Sequence, residues 1–89
     1  MSEKKVEIYT TVYCPYCRRA KELLNRKGIK FIEIDAEPDE ARKAMIQRTG
    51  GQRTVPQVFV DGEFLAGGCD GLFERERSGE LNAILGVNS

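Results

Sequence analysis

Two cysteines separated by two residues, in the stretch Cys14-Pro15-Tyr16-Cys17, constrain this chain more than any other feature. They stand between two predicted elements. The segment before them, Val6–Thr10, is a short apolar run typical of a β-strand, and residues 15–27 have the apolar spacing of a helix that ends at Gly28. A pair of thiols opening a helix within a small βα pattern indicates a redox-active dithiol.

Length and composition limit the classes of protein to which the chain can belong. Its 89 residues predict one domain, residues 1–89, with a single modest core. Fourteen basic and 14 acidic residues give zero net charge, which lacks the basic excess of a nucleic-acid-binding protein. No apolar run approaches the roughly 20 residues of a membrane span. Without a signal segment, we expect a cytoplasmic protein that binds neither nucleic acid nor membrane.

The numbers of cysteine and histidine residues also limit the kinds of site that the chain can form. Three cysteines cannot all pair within one chain, and the absence of histidine leaves too few ligands for a structural zinc site. A purely structural disulfide across so short a loop would constrain the unfolded chain little. We therefore expect no metal and a catalytic pair, Cys14 and Cys17. The third cysteine, Cys69, is better explained as a small buried hydrophobic residue than as a redox group.

The remaining sequence predicts an α/β fold with the element order βαβαββα. A strand is expected at residues 31–35 and a helix from Pro38 to about Thr49, followed by Gly50-Gly51. Asp61-Gly62 predicts a hairpin between residues 57–60 and 63–66. Helical segments are expected at residues 70–78 and 80–85. The predicted architecture is a four-stranded mixed sheet with flanking helices, in which the first helix begins at the ligand-binding edge.

This placement assigns different roles to the two thiols. Only a thiolate attacks a disulfide, and a helix N-terminus supplies unpaired N–H groups and about half a positive charge that stabilise the anion. Cys14 lies at that terminus, and Pro15 is tolerated after it because its missing N–H would have no helical partner. We expect Cys14 to be the exposed nucleophile and Cys17 the more buried resolving thiol.

Three motifs together resemble the dithiol glutaredoxins of the thioredoxin superfamily. They are Cys14-Pro15-Tyr16-Cys17, Thr54-Val55-Pro56 and Gly67-Gly68-Cys69-Asp70, and the resemblance extends over about residues 6–85. It implies a thioredoxin-like fold for a single glutaredoxin-like domain. It also implies a glutathione-dependent thiol–disulfide oxidoreductase in which Cys14 alone reduces protein–glutathione mixed disulfides, while Cys14 and Cys17 together reduce protein disulfides. Glutathione is then a co-substrate, and protein partners bind transiently to a monomer.

The resemblance further implies a set of glutathione-binding residues. Tyr16 flanks the ligand, a cis Pro56 exposes the Val55 main chain, and Gly68 permits close approach of the backbone. The full implied set is Tyr16, Arg42, Arg53, Thr54, Val55, Pro56, Gly68, Cys69 and Asp70, with Lys43 as an alternative to Arg42. From the residues alone, a trans proline starting a strand, an N-cap role for Asp70 and a solvated face for Arg42 remain open.

The chain departs from the family pattern at three places. Thr11 stands where many relatives carry lysine, Gly71 follows Asp70 where a second acidic residue is common, and residues 49–53 are one residue longer. Two alternative functions follow from the same motifs. One is a carrier of a [2Fe–2S] cluster held by Cys14 thiolates and glutathione, against which Pro15 counts. The other is a redoxin that thioredoxin reductase reduces.

Overall fold

The structure, a computed structural model, describes residues 4–87. The elements are β1 (Val6–Thr10), α1 (Pro15–Arg26), β2 (Ile32–Asp35), α2 (Asp39–Arg48), β3 (Gln57–Val60), β4 (Glu63–Leu65), α3 (Gly68–Ser78) and α4 (Glu80–Leu85). The predicted order is confirmed, with two helices at the end. They are divided by Gly79, whose φ of 84° lies in the left-handed region that glycine tolerates.

The four strands form one mixed sheet in the order β2-β1-β3-β4. β1 pairs in parallel with β2 and antiparallel with β3, and β3 pairs antiparallel with β4. In this register Tyr9 lies opposite Gln57. Because Tyr9 is near the end of β1 and Gln57 begins β3, the loop that carries Cys14 meets the Thr54-Val55-Pro56 segment at one edge of the sheet.

Apolar side chains pack on both faces of the sheet. On one face, Ile8, Val58 and Val60 pack against apolar residues of α1, α3 and α4. Those helix residues are Ala20, Leu23, Leu24, Leu72, Leu81 and Leu85. On the other face, Tyr9 and Phe59 pack against Met45 of α2. The sheet and the two helical layers therefore fix the ends of β1, α1 and β3 relative to one another.

Some predicted boundaries are wrong by one or two residues. β2 begins at Ile32, β4 ends at Leu65, and α3 begins at Gly68 where residue 70 was expected. The difference in α3 arises from Gly67 and Gly68, with φ values of 101° and 58°. These glycines turn the chain into the helix, which a residue with a β-carbon does not do easily. No helix within residues 4–87 is long and apolar enough to span a membrane.

Candidate active site

Cys14 is the N-cap residue of α1. Its backbone is extended (φ −101°, ψ 108°), and the Cys17 N–H donates a hydrogen bond to its Sγ over 3.2 Å. Pro15 occupies the first helical position, and the first turn contains no acidic residue. The sulfur thus receives a backbone N–H at the positive end of a helix, an arrangement that stabilises a thiolate.

Cys17 lies in a different environment. Only 1% of it is exposed. Burial raises the pKa of Cys17 to about 12, and its hydrogen bond to Cys14 also raises it. Cys17 is therefore protonated at neutral pH, while Cys14 is partly accessible, and neither thiol is in a disulfide. This asymmetry agrees with the predicted nucleophile and resolving thiol.

The segment before β3 contacts Cys14 directly. The peptide bond between Val55 and Pro56 is cis, so the open alternative of a trans proline is wrong. The Cys14 thiol donates to the Val55 carbonyl over 3.7 Å. Within the segment, Gln57 Nε2 donates a hydrogen bond to the Thr54 carbonyl over 2.8 Å, which holds Thr54 to the start of β3. The Val55 main chain consequently lies beside the reactive sulfur.

The N-terminus of α3 forms the opposite wall. The first helical hydrogen bond runs from the Gly71 N–H to the Gly67 carbonyl over 2.9 Å. The N–H groups of Gly68, Cys69 and Asp70 therefore precede the helical hydrogen-bond ladder, and the end of a helix favours an anion. Asp70 is exposed and is the third residue of α3, whereas Gly67 is the N-cap. The N-cap interpretation of Asp70 is thus wrong.

Between these walls lies a cleft of about 380 Å³. Seven of the predicted glutathione-binding residues line it, namely Tyr16, Thr54, Val55, Pro56, Gly68, Cys69 and Asp70. Five further residues also line it, namely Gln52, Gln57, Phe64, Ala66 and Gly67, of which only Gly67 belongs to a motif noted in the sequence. Most of these five belong to the predicted hairpin or its ends, where the alternation of residues indicates a sheet but not which side chains reach a cleft.

The two predicted arginines lie beside the cleft and do not line it. Arg42 Nε donates to the Ala36 carbonyl over 3.2 Å, and Arg42 Nη1 donates to the Arg53 carbonyl over 3.5 Å. Arg42 therefore links α2 to the loop that precedes Thr54 by its hydrogen bond to the Arg53 carbonyl. Contact of Arg42, Lys43 or Arg53 with a bound carboxylate stays a prediction.

The loop at residues 49–53 is held by a buried side chain, while its greater length relative to the family stays a prediction. Thr49, which is 8% exposed, accepts a hydrogen bond from the Gln52 N–H at its Oγ1 over 2.9 Å. Gly50 and Gly51 have φ values of 74° and 123°, so they supply the turn. The loop consequently places Gln52 at the cleft, next to the Thr54-Val55-Pro56 segment.

Cys69 and Tyr16 complete the set of predicted residues. Cys69 is 4% exposed, and burial raises the pKa of its thiol, so it is protonated and packs as a small apolar group. Tyr16 is 55% exposed and stands at the rim of the cleft. Val12 and Tyr13 are also exposed, so an apolar surface adjoins the nucleophile.

Comparison with known proteins agrees with this geometry. The family model described as glutaredoxin matches residues 6–65. A glutaredoxin from Pseudomonas aeruginosa is 50% identical over 80 residues, which cover 90% of this chain and 94% of that protein. Glutaredoxin 3 from Escherichia coli K12 is 42% identical, and the match covers 90% of this chain and 95% of that protein.

Solved structures give the same result. The solution structure of glutaredoxin from Brucella melitensis superposes with a TM-score of 0.82 at 46% identity, covering 96% of this chain and 91% of that one. The crystal structure of a buckwheat glutaredoxin–glutathione complex superposes with a TM-score of 0.81 at 34% identity, covering 93% of this chain and 77% of that one. This chain has a CxxC pair at the N-terminus of α1 on a thioredoxin-like fold, and it belongs to the glutaredoxin family of thiol–disulfide oxidoreductases.

Proposed function

We propose that this protein is a glutathione-dependent oxidoreductase that reduces protein–glutathione mixed disulfides with Cys14 alone and protein disulfides with Cys14 and Cys17. One observation carries the proposal. The sulfur of Cys14 lies 3.7 Å from the carbonyl of Val55, and Val55 lines a cleft whose other wall is a helix N-terminus. A reactive sulfur is thus joined to a site suited to a small peptide.

The chemistry of the cleft fits each part of glutathione. The Val55 main chain is suited to pair with the cysteinyl residue, as an extended peptide adds to a backbone edge. The N–H groups at the start of α3 suit the γ-glutamyl carboxylate, and the Asp70 carboxylate suits the neighbouring ammonium. A volume of about 380 Å³ is within the range of small-molecule sites. The buckwheat relative is a glutathione complex.

In the single-cysteine reaction, the Cys14 thiolate attacks the glutathione sulfur of a mixed disulfide. The bond to the protein substrate breaks, and that thiolate leaves and takes up a proton. A second glutathione thiolate then attacks the glutathione sulfur on Cys14, which releases oxidised glutathione and restores the Cys14 thiolate. Cys17 takes no part, because every bond that forms or breaks involves Cys14 or glutathione.

In the two-cysteine reaction, Cys14 attacks a protein disulfide and forms a mixed disulfide with the substrate. Cys17 then attacks the sulfur of Cys14, loses its proton and releases the reduced substrate. Two glutathione molecules reduce the resulting Cys14–Cys17 disulfide. Because such a dithiol depends on a reduced glutathione pool, we propose a cytoplasmic location. We also propose that the protein is a monomer that meets its protein substrates transiently.

Steady-state assays with two reductants test the proposal. Reduction of a glutathionylated peptide is followed with glutathione and glutathione reductase, or with thioredoxin reductase in their place. We expect turnover with glutathione only, loss of turnover in Cys14→Ser, and retention of most of it in Cys17→Ser. Equal loss in both variants would contradict the assigned roles, and turnover with thioredoxin reductase alone would contradict the glutathione dependence.

A further inference from the structure

A lysine stands four residues after the resolving cysteine on the same face of α1. Residues spaced in this way have Cβ atoms about 5–6 Å apart on a helix. Lys21 Nζ lies 2.8 Å from Glu33 Oε2, on β2. The same carboxylate oxygen accepts a hydrogen bond from Thr10 Oγ1 over 2.6 Å. The ammonium is thus paired with β2, and its residue lies one helical turn beyond Cys17 on α1.

A nearby positive charge matters to Cys17 only in the resolving step, when this thiol attacks Cys14. Cys17 is 1% exposed and protonated, so it must acquire negative charge in a buried place before it can attack Cys14. The Thr11 N–H and the Lys21 ammonium both lower the pKa of Cys17, while the Cys14 sulfur raises it. When Cys14 is in a mixed disulfide it carries no charge. The Lys21 ammonium, one helical turn beyond Cys17, still favours the thiolate in that state, together with the hydrogen bond from the Thr11 backbone.

We propose that Lys21, held by Glu33, is a positioning residue for the resolving step: its ammonium stabilises the negative charge that develops on Cys17 as this sulfur attacks Cys14. The inference rests on the two-cysteine reaction of the proposed function. In that step the Cys14–Cys17 bond forms, the bond from Cys14 to the substrate sulfur breaks, and the proton of Cys17 passes through solvent to the departing thiolate. Lys21 exchanges no proton and forms no bond.

The expected effect of removing this charge is moderate. Each tenfold gain in thiolate population is partly offset, because the nucleophilicity of a thiolate falls with its basicity with a coefficient of about 0.4–0.5. A tenfold loss of thiolate therefore slows attack by about three- to fourfold. The Lys21 side chain is 30% exposed, so solvent screens part of its field. We therefore expect Lys21→Gln to slow the resolving step by about threefold.

A single-turnover experiment isolates this step. Reduced protein is mixed with oxidised glutathione, quenched with acid at intervals, and resolved by mass into reduced, glutathionylated and internally oxidised forms. The variants are Lys21→Gln, Lys21→Arg and Glu33→Gln. Glu33→Gln is the matched control, because it removes the carboxylate charge, keeps the ammonium, and leaves an amide oxygen that can still accept a hydrogen bond from it. Each variant is also assayed for mixed-disulfide reduction in a Cys17→Ser background, and thermal melts check that each is folded.

The proposal predicts that Lys21→Gln forms the glutathione adduct at the normal rate and accumulates it, because conversion to the internal disulfide is slow. Lys21→Arg and Glu33→Gln should convert it at no less than about half the normal rate, and all variants should be equal in the Cys17→Ser background. Equal slowing in Lys21→Gln and Glu33→Gln, or no slowing in Lys21→Gln, would overturn it. If Lys21→Gln does not fold, Lys21→Met, which keeps the aliphatic stem, decides by the same criteria. Failure of the unaltered protein to form any adduct would instead refute the proposed function.

Discussion

Replacement of Gly68 by alanine tests how closely the two walls of the cleft approach. Gly68 has a φ of 58°, and a β-carbon there would lie 3.1 Å from the Pro56 carbonyl oxygen. The left-handed backbone costs a residue with a β-carbon about 1–2 kcal/mol. The contact adds a second effect, since the Pro56 carbonyl must move by a few tenths of an ångström, and Pro56 follows the Val55 main chain beside Cys14.

Gly28→Ala is the matched control. Gly28 has a φ of 72° and nothing within 4 Å of the added carbon, so this change carries the backbone cost alone. Both variants should lose about 1–2 kcal/mol of unfolding free energy, and thus about 4–8 °C in Tm per kcal/mol for a domain of this size. A misplacement of 1 Å can cost about a hundredfold in rate, so a few tenths should cost about three- to tenfold.

The assays are urea unfolding and steady-state reduction of a glutathionylated peptide. We expect the two variants to be similarly destabilised, while only Gly68→Ala raises the KM for the peptide and lowers kcat/KM. Equal kcat/KM in Gly68→Ala and Gly28→Ala would refute the reasoning, because the close approach of α3 to Pro56 would then make no contribution to the site.

Two further predictions concern stability. The Lys27 side chain is 6% exposed, and its Nζ lies 2.8 Å from Glu76 Oε1. Lys27→Met should therefore lower the unfolding free energy, measured in urea, by about 1–3 kcal/mol. A change below a few tenths of a kcal/mol would contradict a stabilising pair. The hydrogen bond from Arg48 lowers the pKa of the Glu7 carboxyl from its ordinary value of 4.5. A lowered folded-state pKa means stability that is fully present above pH 4.5 and lost as the pH falls below it. Unfolding measured from pH 6 to pH 3 should therefore show a shallower acid decline in Glu7→Gln than in the unaltered protein, and equal declines would contradict this assignment.

The elements with strong local signals could be predicted from the sequence. Asp61-Gly62 between two apolar runs predicted the hairpin, and the apolar spacing after Pro15 predicted α1 and its buried face. The structure contains both. These features depend on neighbours in the sequence, so local patterns contain them. The start of α3 was missed because Gly67 and Gly68 usually indicate a loop, whereas here they turn directly into the helix.

The spacing of Cys14 and Cys17 indicated a redox-active pair at the start of a helix, and the structure places them there, but the composition of the cleft could not be predicted. Gln52, Gln57 and Phe64 line it beside Tyr16 of α1 and residues 67–70 at the start of α3. These are contacts between distant segments, which no local pattern encodes. Arg42 was expected from the resemblance to meet a carboxylate; the structure shows its hydrogen bonds to the Ala36 and Arg53 carbonyls, and the ligand contact stays a prediction.

The most direct test asks which half of a mixed disulfide is transferred to Cys14. Reduced Cys17→Ser protein is mixed with one equivalent of a glutathionylated peptide, quenched with acid and analysed by peptide mapping and mass spectrometry. The account predicts glutathione on Cys14, release of free peptide, and discharge of the adduct when glutathione is added. Peptide attached to Cys14, glutathione attached to Cys69, or an adduct that glutathione does not discharge would contradict it.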